Sequence, residues 1–127
     1  MMTKAEAIYQ FFSSFGIPAY EENSVIGMDE PPEFPYLTYQ YVNDIFGSDP
    51  VSVTFSVWDR SESVAWIEDK TEEISAEIGR GGKIIPCNNG GIWIKRGTPF
   101  AQLMGDDTDD RVRRMVINTY FEFLTEF

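Results

Sequence analysis

Between Val51 and Ile78 the spacing of apolar residues changes period once. Val51, Val53, Phe55 and Val57 alternate with Ser52, Thr54, Ser56 and Trp58. A period of two over this length predicts a half-buried strand. A few residues later Val64, Ile67, Thr71, Ile74 and Ile78 recur at three- and four-residue steps, separated mainly by Glu, Asp, Lys and Ser. That spacing predicts an amphipathic helix. Asp59 or Ser61 is placed to cap its first amides, and Glu62 suits the positive end of its dipole. Gly79 is placed to end it in a left-handed conformation. Each element has one apolar face, which it must bury against the other or against further elements.

The same reading extends along the chain. Thr3 to Phe15 predicts a first helix, with Thr3 and Glu6 at capping-box spacing. Its stripe is Ala5, Ile8, Phe12 and Phe15, widened by Tyr9 and Phe11, and Gly16 and Pro18 end it. Short strands are expected at Ala19–Glu22 and Val25–Met28, around an Asn23–Ser24 turn. Glu30–Pro35 is a proline-stiffened connector. Tyr36–Val42 predicts a strand with Leu37, Tyr39 and Tyr41 on one face, joined by a loop at Asn43–Pro50 to the Val51 strand. After Gly79–Lys83, strands at Lys83–Cys87 and Ile92–Arg96 flank Asn88–Gly91, a hairpin signal. Gly97–Asp110 shows no clear period and is expected to be a long loop. From Arg111 a long last strand places Met115, Ile117, Thr119, Phe121 and Phe123 on one face. The expected fold class is α+β: one domain over residues 1–127, with a single mixed, mainly antiparallel sheet, two helices packed on one face and a long loop before the last strand.

Composition narrows what such a domain can do. Lys and Arg total 10 against 21 Asp and Glu, a formal charge of −11. Binding driven by backbone phosphates needs the opposite sign. There is one cysteine, Cys87, and no histidine. That excludes an intramolecular disulfide, imidazole-dependent zinc sites and the usual triads, and it fits a reducing cytoplasm. The N-terminus reads as a polar helix rather than a signal peptide. No apolar run approaches the roughly 20 residues of a membrane span. Aromatics reach 15%, which suits a sheet-rich core or surfaces buried in an assembly.

Four patterns invite chemistry. GRGGK at Gly79–Lys83 follows a helix and precedes a strand, the reverse of a phosphate loop. Asp106, Asp107, Asp109 and Asp110 lack the glycine and final glutamate of an EF-hand, leaving a solvated loop, a weak cation site or a donor of intersubunit salt bridges. Cys87 has no partner to activate it and reads as a structural thiol. Lys95, Arg96, Arg111, Arg113 and Arg114 flank the acidic segment and serve either local charge balance or bridging across a subunit boundary. Trp58, Trp66 and Trp93 lie off the main stripes or near element ends, as core edge or as interface. No catalytic constellation emerges.

In order, KAEAIYQFFSSFGIPAY, PYLTYQYV, VSVTFSVWDRS, GGKIIPCNNGGIWIKRGTPFAQLMGDD and RVRRMVINTYFEFLT resemble the tail-terminator and tail-completion proteins of long-tailed bacteriophages and prophages. The resemblance runs over nearly the whole chain. It implies a mixed sheet flanked by helices and a ring, expected to be a hexamer, that caps the tail tube and docks the filled head. The implied partners are further copies of the chain, the tail tube protein and a head-completion or connector protein. DNA would pass through without sequence-specific binding, and the net acidity suits such a lumen. No membrane, cofactor or metal is implied. The implied location is the host bacterial cytoplasm during assembly and then the head-proximal end of the virion tail. By position, Gly97–Asp110 resembles the family's long mobile loop.

The expected contact residues, to neighbour or tube, are Trp66, Phe100, Leu103, Met104, Asp106, Asp107, Asp109, Asp110, Arg111 and Arg113. The competing readings are another head–tail connector component, a monomeric module that binds a peptide at a sheet edge, and, least supported by the residues, an enzyme.

Overall fold

The computed structural model describes residues 2–106 and 108–127. Its elements in chain order are α1 (Lys4–Ser13), β1 (Ala19–Glu21), α2 (Glu22–Ile26), β2 (Tyr36–Tyr39), β3 (Val51–Arg60), α3 (Ala65–Ile78), β4 (Lys83–Cys87), β5 (Gly90–Gly105) and β6 (Val112–Thr125). The strands form one sheet in the order β1-β2-β3-β6-β5-β4. Among the described residues only β1 and β2 run parallel; the other pairs are antiparallel. The domain is therefore α+β with one mixed, mainly antiparallel sheet.

The core forms where the period-two faces of β3 and β6 meet in register. Val53 opposes Thr119, Phe55 opposes Ile117 and Val57 opposes Met115. On β5, Ile92 and Ile94 continue the same face opposite Phe123 and Phe121. The two long helices pack on this face. From α1, Phe12 stacks on Tyr39 at 4.6 Å and tilts against Phe55 at 4.8 Å. From α3, Ile67, Ile74 and Ile78 are buried in the same cluster. The capping box forms as its spacing predicts: the Glu6 amide donates to Thr3 Oγ1 and the Thr3 amide to Glu6 Oε1.

Several expectations need correction. Ala5 is exposed, and Ala7 takes the place in the α1 stripe. Of the residues expected to form a second short strand, Val25 and Ile26 end α2 and Gly27 and Met28 follow it in a turn; Glu21 caps the first turn of α2 through the Asn23 amide. β2 ends at Tyr39 because the chain then leaves for the far end of the sheet. There the Phe46 amide donates to the Thr125 carbonyl at 2.9 Å, and Lys4 Nζ holds Asn43 Oδ1 and the Asp44 carbonyl. Neither Asp59 nor Ser61 caps α3. Asp59 is buried in β3, and the Ser63 hydroxyl takes the Ala65 amide instead. Gly79 ends α3 with a positive φ of 79°, but its ψ of 169° is extended rather than left-handed helical.

The largest correction concerns the expected loop at Gly97–Asp110. β5 continues through Gly105, and Ala101–Gly105 pairs with Ile117–Arg113. The lost periodicity has a simple cause. Gly97 to Phe100, four residues, stand opposite Asn118 alone, so the alternation of faces breaks and resumes. A Cβ on Gly97 would lie 2.8 Å from the Asn118 carbonyl oxygen, so the close approach requires glycine. The true connection before the last strand is the short turn after Gly105.

Candidate functional site

β4 pairs with β5 only over Gly90–Ile94. Beyond it the outer edge of β5 is open. Among the described residues no strand lies beside Ala101–Gly105, and no backbone hydrogen bond takes the groups that point away from β6. Antiparallel pairing turns alternate N–H and C=O groups outward, so this is a ready template for another strand. The segment Ala-Gln-Leu-Met-Gly carries no charge and no proline, the usual means of blunting an edge. Leu103 is 43% exposed on the helix-bearing face and Met104 49% exposed on the opposite face.

One flank of α3 runs along this edge. Ser75 accepts from Arg96 Nη1 at 3.0 Å. One turn and two turns towards the start of the helix, Glu72 and Glu68 stand over β5, since residues three and four apart share a helix face. Between them lies a groove of about 320 Å³ with Thr71, Ala101, Leu103 and Met115 as its floor and Glu68, Asp69 and Glu72 as its wall. Among the described residues none of these three carboxylates is in an ion pair.

Between β5 and β6, the described residues Asp106, Thr108, Asp109 and Arg111 are tied together by side-chain hydrogen bonds. Asp106 Oδ1 accepts from the Thr108 hydroxyl and amide and from the Asp109 amide. These bonds, the hydroxyl foremost, hold its carboxyl below the usual aspartate range. Asp109 accepts from Arg60 Nε at 2.9 Å and from the Arg111 amide, which lower its pKa in that order. Both carboxylates are committed to protein donors. Among the described residues no group of three acidic, histidine or cysteine side chains is placed to hold a metal. Asp107 lies outside the described residues.

The expected contact residues thus divide. Leu103 and Met104 sit on the open edge. Asp106 and Asp109 build the turn. Asp110, Arg111 and Arg113 line a shallow hollow with Glu62, where Arg113 reaches the Ser61 and Glu62 carbonyls. Phe100 is half-buried against the core from within the bulge, and Trp66 is half-buried on the flank of α3 away from β5, under the Lys70 ammonium. That ammonium also donates to the Phe15 carbonyl and pairs with Glu73. Of the other basic residues, Lys95 pairs with Glu122 and lies 3.9 Å over the Trp93 ring.

A second surface escaped the sequence reading. The sheet face away from α1 and α3 carries Tyr20, Tyr36 and Trp58 from three neighbouring strands. Tyr36 stacks on Trp58 at 6.1 Å, and Trp58 Nε1 donates to Thr38 Oγ1 at 2.9 Å. The Arg114 guanidinium lies 4.8 Å over the Trp58 ring and donates from Nε to Ser56 Oγ. Burial raises the Tyr36 pKa. The signal in the sequence was the even-numbered face of 36–38 and 56–58, aromatic where a solvent face is usually polar. Cys87 is buried, and desolvation pushes its thiol pKa up.

No protein-family model matches the chain, and neither does any curated protein or solved structure. Among the described residues no helix is long and apolar enough to cross a membrane.

Proposed function

We propose that the chain is a structural assembly protein of the phage tail-terminator type, a ring component that caps a tail tube and offers a surface to the filled head. The observation that carries this reading is the number and placement of its unfilled surfaces. The open β5 edge lies at one side of the sheet. At the other side, Ile26 in α2 is 81% exposed and Met28 and Phe34 follow it with partly exposed side chains, Phe34 against Tyr36. The Tyr36–Trp58–Arg114 cluster lies on the sheet face between. A closed ring needs two unlike patches for head-to-tail contacts, here the exposed apolar residues after β1 and the aromatic sheet face, and a cap needs a third for the tube, here the β5 edge. The resemblance in the order of segments, over nearly the whole chain, points the same way.

Purified protein should form rings, or should assemble into them on tail tubes. Native mass spectrometry and negative-stain images of the chain with and without tubes test this. Monomers that ignore tubes would overturn it. The groove between α3 and β5 favours a second reading, a module that binds an extended peptide; monomers that bind a peptide and no tube would select it.

A further inference from the structure

The geometry points to the α3–β5 groove as a strand-addition site whose occupant is an extended segment of another protein, with basic and apolar residues in alternation. It needs only α3 and β5 and stands whether or not the chain forms rings. An added strand takes its main-chain hydrogen bonds from the edge and its specificity from pockets that meet every second side chain. Here the two sides of such a strand meet different chemistry. On the helix side its side chains enter the groove walled by Glu68, Asp69 and Glu72. Lysine or arginine at alternate positions would reach those carboxylates, with their methylene stems on Ala101, Leu103 and Met115. On the other side they meet Met104, 49% exposed, where apolar residues fit.

Charge also argues against a second copy as the occupant. Antiparallel self-pairing about Leu103 would bring Glu68, Asp69 and Glu72 of two molecules to one side of the joint, and like charges so placed repel. Nor do the two edge strands among the described residues offer a suitable donor, since β1 is Ala-Tyr-Glu and acidic on the helix side and β4 is interrupted by Pro86, which has no N–H to give. A foreign strand with cations on one face resolves both difficulties.

The test uses the full chain and a synthetic decapeptide of alternating valine and lysine. Saturable binding is expected by calorimetry, with amide exchange slowed at Ala101–Gly105. A valine–glutamate peptide should not bind. A valine–lysine peptide N-methylated on alternate residues, in the register that faces β5, should lose binding, because it keeps its charge but cannot complete the ladder. Glu68→Gln with Glu72→Gln, both on the exposed helix surface, should weaken binding about tenfold while leaving the fold intact. The assignment fails if the valine–lysine peptide does not saturate, if N-methylation has no effect, or if protection appears elsewhere. Dimers of the free chain with Ala101–Gly105 protected would also overturn it, in favour of a second copy.

Discussion

Asn118 donates from its side-chain amide to the carbonyl of Pro99 at 2.8 Å, across the one place where β5 and β6 lose register. The same amide accepts from the Thr54 hydroxyl at 3.1 Å. One side chain therefore ties the bulge to β6 and β6 to β3. The bulge sets which residues of Ala101–Gly105 face α3 and which face away, so Asn118 sits upstream of the open edge.

Replacing Asn118 by alanine should free the Pro99 carbonyl and cost about 1 kcal/mol, the usual net worth of such a bond. Denaturant unfolding measures that loss, and hydrogen exchange should show faster amides at Ala101–Gly105 with little change at Ile92–Lys95. Equal acceleration along the whole of β5 would show that the bulge is held by something else.

The β5–β6 turn should depend on pH at the acid end only. The folded-state pKa values of Asp106 and Asp109 lie below the ordinary aspartate value of 3.8. Their contribution to turn order is therefore complete above that value and is lost as pH falls through the lower folded value. NMR amide shifts of Thr108 and Asp109 should be constant between about pH 7 and pH 5 and should move together in strong acid. Movement already near neutrality would contradict the hydrogen-bond assignment.

Phe12 touches Tyr39, Phe55 and Phe121 from α1. Its truncation to alanine should destabilise the domain by about 3–5 kcal/mol, because the helix cannot collapse into the gap left on a rigid sheet. Thermal unfolding reads the loss. A cost under about 1 kcal/mol would mean that α1 is not fixed to the sheet as described.

Leu103→Asp combined with Met104→Asp should leave folding almost unchanged, since both side chains are substantially exposed. Capping of tail tubes should fail if the open edge is the docking surface. Normal capping by a folded double variant would remove this edge from the proposed function.

Local pattern and tertiary structure contributed different things here. Where apolar periodicity ran unbroken, as at Val51–Val57, Ile67–Ile78 and Met115–Phe123, the sequence by itself determined element, face and burial, since burying one face leaves only one arrangement for the side chains. Its composition set the acidity and removed histidine chemistry. Only the tertiary structure decided that Ala101–Gly105 is a strand, because pairing with β6 resumes after a bulge that no local pattern announces. It also decided that β4 stops short and leaves that edge open, that Glu68 and Glu72 stand over it, and that Tyr36, Trp58 and Arg114 meet on the other face. Each of these depends on strand register and helix placement between residues far apart in the chain, a long-range relation that local spacing does not encode.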